Sequence, residues 1–383
     1  IWDRVALAVM RRPAVSLLLA GGLLAAAAIP YFSINTGNSG ASSFPEDFRS
    51  RQGFEVLQAE FGFGANAPAE VVIDGDIASP EVQDAIASVR ALLLTDEIFG
   101  APQLEANDAG DLALLSVPLK GDSLSEDTIE AIRTLRDEIL PQAFAGVPAA
   151  VVVGGVTADA IDFIDTAESY QPLVIGFVLG LSFLLLMLVF RSIVIPAKAI
   201  ILNLLSVGAA YGLLVLVFQK GVGNELFGFA QVDVIQSWIP LMLFAILFGL
   251  SMDYHVFLLS RIRERFLQTG DNTESVAFGL RTTGGLITGA ALIMVAVFAG
   301  FAAGDLVQMQ QFGFGMAVAI LLDATIVRTV LVPASMKLLA SKNWYLPGFL
   351  RWLPDVGIEG GSSSSAGLAA NGSLTPQPAG GDD

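Results

Sequence analysis

Six long apolar stretches constrain this chain more than any other feature of its sequence. Each is long enough to cross the hydrocarbon core of a bilayer, which takes about 20 residues of helix. Because lipid offers no partner for backbone N–H and C=O groups, stretches of this length are predicted to be transmembrane helices. The six predicted spans are Val15–Phe32, Leu173–Phe190, Ile195–Phe218, Ile239–Leu259, Thr282–Ala303 and Phe312–Leu339.

The first stretch has to be distinguished from a cleaved signal peptide. Its apolar run is longer than a signal peptide needs, and no small-residue cleavage site leads into a mature domain. We therefore expect residues 1–33 to form a cytoplasmic N-terminus and the first transmembrane helix. The chain starts with Ile rather than Met, which suggests the latter part of a longer protein.

Charge is distributed unevenly along the chain. Residues 34–170 hold 24 Asp and Glu against 6 Lys and Arg, so this block supplies essentially all of the net charge of −17. Nucleic acid is excluded as a partner because its recognition needs a basic surface. An acidic surface is also common simply because it keeps a domain soluble.

Basic residues beside the spans predict the orientation in the membrane. If every span crosses once, these residues fall on one side, which the positive-inside rule assigns to the cytoplasm. Both ends are then cytoplasmic, and residues 34–170 lie outside. The basic residues are Arg4, Arg11, Arg12, Arg191, Lys198, Arg261, Arg263, Arg265, Arg281, Lys337, Lys342 and Arg351.

Residues 34–170 are predicted to form an α+β domain after an extended segment and a short helix. Alternating or β-rich runs predict strands at 69–75, 112–119 and 149–155, with a weaker one at 101–106. Amphipathic helices are predicted over 79–98 and 123–140, capped by Ser79 and Ser125. The order β-α-β-β-α-β is typical of a ferredoxin-like sandwich. A further helix over 157–171 leads into the second span.

The rest of the chain divides into two parts. Residues 171–354 hold five spans and are predicted to form a helical bundle. Residues 355–383 are rich in Gly, Ser, Ala and Pro, a composition that cannot bury a core, so a disordered tail is predicted there.

Asp253 stands within the fourth span, about 14 residues or roughly 21 Å from its start. An Asp near the middle of a bilayer costs on the order of 2.5–3.5 kcal/mol, so it is expected to face protein or a water-filled cavity. Tyr254 follows it, but neighbouring residues on a helix do not face each other. We expect each to find its partner on a different helix, with Asp253 exchanging protons and Tyr254 both donating and accepting hydrogen bonds.

Asp323 is the second acid inside a span, and Arg328 follows five residues later. The two can pair, although this spacing is one residue beyond the favourable i,i+4 separation. A salt bridge that only stabilises packing is one interpretation of this pair, and support of a proton site is the other.

Several neighbours of Asp253 are candidate supporting residues. His255, the only histidine, is a possible relay or simply a polar position near the cytoplasmic edge, and its side chain is expected to point away from Asp253. Gly285 and Gly289, with Thr288 beside them, and Gly249 one turn before Asp253, are predicted to allow close helix packing. That packing is either purely structural or creates a dry site around Asp253.

Enzymatic and metal chemistry find no support in the sequence. The single histidine lies inside a predicted span, and no phosphate-binding loop of the G-x-x-x-x-G-K-[ST] type occurs. With no cysteine and no cluster of metal ligands, neither a disulfide framework nor a metal site is predicted.

The segments "IPLMLFAILFGLSMDYHVFLLSRIRERF", "ALIMVAVFAGF" and "LLDATIVRTVLVPASMKLL" resemble the C-terminal repeat of MMPL transporters, in the resistance–nodulation–division (RND) superfamily. The resemblance covers nearly all of the chain except the tail. It implies six transmembrane helices with an inserted ferredoxin-like periplasmic porter domain, in a bacterial inner membrane. It also implies that Asp253 and Tyr254 form the proton relay. The family usually has Glu where this chain has His255.

The resemblance implies proton-driven export of lipids or other hydrophobic molecules, with protons as the coupling ion and no cofactor. The family carries two repeats whose Asp-Tyr pairs face each other, so a second repeat is expected as a partner, from a missing N-terminal half or from another chain. A lipid-binding or protein-binding receptor similar to the sterol-sensing branch is the alternative function. Assistance in protein export is a third possibility.

Overall fold

The computed structural model describes residues 2–38, 40, 44–60, 67–350 and 352, so the predicted tail 355–383 lies outside the described residues. Within them, six helices are long and apolar enough to cross a membrane, which confirms the six predicted spans. They cover Pro13–Ser33, Val156–Phe190, Val194–Gln219, Trp238–Thr269, Asn272–Ala302 and Val307–Trp344. The protein is therefore a multi-pass membrane protein.

Several spans are built from more than one helical segment or extend beyond the predicted apolar run. The fourth span continues past Leu259 to Thr269, and the fifth begins at Asn272, where the Asp271 carboxylate accepts from two backbone N–H groups. In chain order the α-helices are α1 (Trp2–Arg11), α2 (Pro13–Ala28), α3 (Arg49–Glu60), α4 (Pro80–Leu93), α5 (Glu126–Thr134), α6 (Leu140–Ala143), α7 (Val156–Phe190), α8 (Val194–Leu214), α9 (Asn224–Phe227), α10 (Trp238–Thr269), α11 (Asn272–Ala302), α12 (Val307–Leu322) and α13 (Val332–Leu339).

Short 3₁₀ and π-helical turns extend some of these helices. A 3₁₀ turn, Ile29–Ser33, completes the first span, and π turns follow α5 and α8 at Leu135–Ile139 and Val215–Gln219. In the sixth span a longer π-helical segment, Asp323–Leu331, joins α12 to α13. Two further 3₁₀ turns, Ala340–Trp344 and Gly348–Leu350, follow the last helix.

The soluble domain is a four-stranded antiparallel sheet with two helical connections. The strands are β2 (Ala69–Gly75), β3 (Gln103–Ala106), β4 (Leu112–Val117) and β5 (Ala149–Gly154). They lie within the predicted ranges, and the sheet order is β3-β4-β2-β5. Hydroxyls of Ser79 and Ser125 accept from backbone N–H groups in the first turns of α4 and α5, which confirms both predicted caps.

Alternating side chains of the sheet pack against one face of the amphipathic helices. Val71 and Ile73 of β2 and Leu115 of β4 are buried on the helix side, against residues such as Val89 of α4 and Ile132 of α5. Intervening positions of β2 are exposed or half-buried. Apolar side chains repeat every two residues in the strands and about every 3.6 residues in the helices, so they face each other and form this core.

Helix α7 belongs both to the soluble domain and to the membrane bundle. Ile161 near its start is part of the domain core, whereas Leu186 near its end is part of the bundle core. Arg133 and Arg136 of the domain contact Asp165 and Asp162 of α7 at 2.5 and 2.6 Å. The hydrogen bond to Asp165 raises the pKa of Arg133 and keeps the guanidinium charged. The predicted helix 157–171 is thus continuous with the second span.

A second connection joins the soluble domain to the fourth span. Strand β1 (Thr36–Gly37) pairs in parallel with β6 (Ile235–Gln236), which directly precedes α10. The Gln219 side chain donates to the backbone carbonyls of Asn35 and Asp233 at 3.0 and 2.6 Å. The segment that leads into the domain is therefore fixed to the start of the fourth span.

The closest helix approaches in the described bundle occur at glycines other than Gly249, Gly285 and Gly289. A Cβ at Gly212 of α8 would overlap the carbonyl oxygen of Ala27 in the first span. A Cβ at Gly313 of α12 would overlap the backbone of Ala302 in α11. These glycines bring the first span against the third and the fifth against the sixth.

Gly212→Ala is expected to destabilise the bundle by about 1–3 kcal/mol, since the methyl group forces the first and third spans apart. The matched control is Gly180→Ala in α7, where a Cβ meets nothing within 4 Å. The thermal midpoint of the purified protein in detergent should fall for the Gly212 variant alone. Equal midpoints for both variants would show that this close approach is absent.

Candidate proton-relay site

The fourth span, α10, carries Asp253 on its outer face. The Asp253 side chain is exposed and has no hydrogen-bond or ion-pair partner among the described residues. Met242, Gly249 and Phe257 are exposed on the same side of the helix, at spacings of seven and four residues. Asp253 follows Trp238 by 15 residues, or roughly 22 Å of helix. The carboxylate therefore lies at membrane depth on the outside of this bundle.

The expected dry site around Asp253 does not form within this chain. A Cβ at Gly249, Gly285 or Gly289 meets nothing within 4 Å, so the predicted close packing at these glycines is absent from the bundle. The Thr288 hydroxyl donates to the carbonyl of Gly284 in its own helix, at 2.7 Å. The sequence does not decide this point, because the apolar runs of the fourth and fifth spans do not reveal which of their faces packs inward.

Asp323 and Arg328 form a buried ion pair inside the bundle. Both residues are 3% exposed, and an Arg328 guanidinium nitrogen donates to Asp323 Oδ2. In an α-helix the residue at i+5 is rotated about 140° from residue i. Asp323–Leu331 is π-helical, with i→i+5 backbone hydrogen bonds, and this winding brings the two side chains onto one side. The pairing is confirmed, and the π-helical segment explains its spacing.

Two further polar residues complete the surroundings of this pair. The hydroxyl of Ser251, one helix away, lies 2.9 Å from Asp323 Oδ2 and 2.6 Å from Asn203 Oδ1 of α8. Arg328 also contacts the Ser251 carbonyl oxygen at 3.3 Å. The third, fourth and sixth spans thus meet at one buried polar cluster, formed by Asn203, Ser251, Asp323 and Arg328.

Tyr254 lies between the outer face and this buried cluster. Its ring is half-buried, with the Arg328 guanidinium carbon 4.8 Å from the ring centroid. Such a cation–π contact attracts the guanidinium to the ring face. The Tyr254 hydroxyl is 4.0 Å from Met294 Sδ of α11. A cavity of about 10 Å³, comparable to one water molecule, is lined by Tyr254, Asp323 and Arg328 among others.

His255 points into the bundle, away from Asp253, as the helix geometry predicts. It is 2% exposed, so neighbouring helices of the bundle enclose its side chain. Its Nδ1 lies 3.3 Å from the carbonyl oxygen of Ser251. His255 is buried because one face of α10, which also carries Ser251, Leu258 and Ile262, packs inward.

Among the described residues, no group of three or more His, Asp or Glu side chains could hold a metal ion. Ser251 and Asn203 were missed in the sequence, where each is a small polar residue in an apolar span. A buried acid needs hydrogen-bond donors as well as a counter-ion, and that requirement is the signal that could have found Ser251.

Comparison with known proteins gives consistent matches. The model of the MMPL family matches residues 36–353. Over 364 residues the chain is 41% identical to the "Mycolic acid-containing lipids exporter MmpL11" of Mycolicibacterium smegmatis, covering 94% of this chain and 38% of that protein. It is 42% identical to the "Heme uptake protein MmpL11" of Mycobacterium tuberculosis strain H37Rv, covering 93% of this chain and 36% of that protein.

A third relative is the "Trehalose monomycolate exporter MmpL3" of Mycolicibacterium smegmatis. It is 34% identical over 371 residues, covering 93% of this chain and 35% of that protein. The chain therefore spans less than two fifths of the length of each of these relatives.

Arg328→Met is expected to cost about 3–5 kcal/mol of stability, because it leaves the buried Asp323 carboxylate without its counter-ion. The double variant Asp323→Leu, Arg328→Met removes both charges and should recover most of that loss. Thermal unfolding in detergent measures both. If the double variant is as unstable as the single one, the stability of the pair does not depend on charge neutralisation.

Proposed function

The chain belongs to the MMPL family, and we propose that it is one repeat of a proton-driven exporter of lipids or other hydrophobic molecules. One relative is named as an exporter of mycolic acid-containing lipids and another as a trehalose monomycolate exporter, which supports a lipid cargo, and a third is named as a heme uptake protein. Protons serve as the coupling ion, without a cofactor. The protein is a transporter and has no enzymatic activity.

The proposed location is a bacterial inner membrane, with the soluble domain outside the cytoplasm. Support comes from the basic residues next to the spans, since they fall on the side opposite the acidic domain. The domain is proposed to be a ferredoxin-like porter domain that handles cargo. Its β-α-β-β-α-β order and the antiparallel arrangement β3-β4-β2-β5 support this assignment.

The position of Asp253 carries the proposal. An Asp exposed to lipid at this depth costs on the order of 2.5–3.5 kcal/mol, so its face of the fourth span needs a protein partner. The proposed partner is a second RND repeat, in the same protein or in another chain. Two parallel repeats related by an axis along the membrane normal present the same face to each other. Asp253 then lies opposite the corresponding helix of the second repeat, away from lipid.

In this arrangement the enclosed Asp253 takes up a proton from one side and releases it to the other. Tyr254 can donate and accept a hydrogen bond at the same interface while its ring contacts Arg328. Neutralising Asp253 changes the charge beside the buried cluster and so favours a different packing of the fourth span. Strand β6 lies directly before this span and pairs with β1, so movement of the span is transmitted to the soluble domain.

Asp253→Asn is expected to abolish proton-coupled transport, because the amide keeps the shape of the carboxyl but cannot exchange a proton. The measurement is proton flux and lipid movement in vesicles containing the assembled exporter under an imposed pH gradient. The control is Asp305→Asn, an exposed acid in the loop between the fifth and sixth spans. Wild-type flux in the Asp253 variant contradicts the coupling role.

The proposed contact between the Asp253 face of the fourth span and a second repeat can be tested with spin labels, because the chain contains no cysteine. A label on Gly249→Cys is expected to be shielded from dissolved oxygen in the assembled exporter. A label on Gly22→Cys, on the first span beside the exposed Leu19 and Leu23, should be open to it. The readout is the oxygen-dependent relaxation of each label. Equal oxygen accessibility at the two sites excludes a partner on the Asp253 face.

A further inference from the structure

Among the described residues beside the site, His255 is a buried titratable group to which the proposed relay gives no task. It lies on the inward face of the fourth span, within electrostatic range of Arg328, Asp323 and Lys198. Asp323 and Arg328 belong to the sixth span and Lys198 to the third. The imidazole therefore interacts electrostatically with charged groups on two neighbouring helices.

The hydrogen bond of His255 determines which ring nitrogen carries the proton in the neutral form. Nδ1 is 3.3 Å from the Ser251 carbonyl oxygen, which can only accept. Nδ1 must therefore be the donor, and Nε2 has a free lone pair. Nε2 is buried and has no hydrogen-bond partner among the described residues. Nε2 can therefore accept a proton without breaking a hydrogen bond within the described chain.

Other buried polar atoms in the same region are also without hydrogen-bond partners within the described chain. They are Asn203 Nδ2, Asp323 Oδ1 and Arg328 Nε. Buried donors and acceptors are normally paired by protein groups or by ordered water, so these atoms can hydrogen-bond to water inside the bundle. They belong to the third and sixth spans, both of which contact the fourth span that carries His255.

Lys198 marks the cytoplasmic end of this polar region. It lies five residues before Asn203 on the same helix, and its ammonium contacts Asn343 Oδ1 at 3.5 Å. Asn343 is fully buried in the 3₁₀ turn Ala340–Trp344, at the end of the sixth span. Polar groups therefore continue from the Asp323–Arg328 pair, past His255 and Asn203, to the end of the bundle that the positive-inside rule places in the cytoplasm.

We propose that His255 carries protons between the Asp323–Arg328 pair and the cytoplasmic end of the bundle. This inference rests on the proposed function. A proton from the Asp323 side, passed through water, binds the lone pair of His255 Nε2 and gives an imidazolium. The same Nε2–H then releases its proton to water on the Lys198 side. His255 returns to its starting tautomer, with Nδ1 donating to Ser251 throughout, and one proton has moved.

The test compares two variants that differ in whether residue 255 can titrate. His255→Gln keeps a polar side chain of similar length but cannot carry a proton, so proton flux in the assembled exporter should fall about 100-fold. His255→Glu restores a titratable group, so flux should return. Its pH–rate profile should move to lower pH, because a carboxyl releases its proton at lower pH than an imidazole.

Thermal midpoints of both variants are measured alongside to separate relay from packing. Wild-type flux in His255→Gln overturns the proposal, and so does loss of flux in both variants when both are folded. If His255→Gln does not accumulate, His255→Glu decides alone, since an unchanged pH–rate profile overturns the relay. Asp253→Asn in the same assay tests the exporter function itself, so a failure of the relay at His255 is distinguishable from a failure of that function.

Discussion

The buried pairing of Asp323 with Arg328 is the interaction on which the membrane bundle depends. Removing two charges from water costs several kcal/mol for each ion, and this cost is offset only when geometry and hydrogen bonding are both good. The π-helical winding of the sixth span supplies the geometry. Ser251 and the ring of Tyr254 supply further contacts from the fourth span. The sixth span is thereby held against the helix that carries the proposed relay.

The fourth span has two unlike faces at the same depth. His255 and Ser251 point into the buried cluster, whereas Asp253 points outward with open space beside Gly249. Within the described chain, Asp323 therefore has an ion-pair partner in Arg328, whereas Asp253 has none. This asymmetry is what we expect of a bundle that completes its site by contact with a second repeat.

Much of the architecture was predictable from residue patterns. The length of the apolar runs predicted the six spans. The alternation of apolar and polar residues predicted the strands of the soluble domain, because successive side chains of a strand point to opposite faces of the sheet. The caps at Ser79 and Ser125 followed from the residue types that accept from free backbone N–H groups. The opposite directions of Asp253 and His255 followed from helix geometry alone.

The sequence by itself determined how many helices cross the membrane, where the domain is inserted and which acids lie at membrane depth. Only the tertiary structure decided which face of each span is buried, and therefore that Asp253 is exposed while His255 and Asn203 are enclosed. The physical reason is that a membrane helix is apolar on all sides. Its sequence therefore has no amphipathic pattern that would mark which face is buried. Packing against neighbouring helices, through glycines such as Gly212 and the Asp323–Arg328 pair, fixes that direction instead.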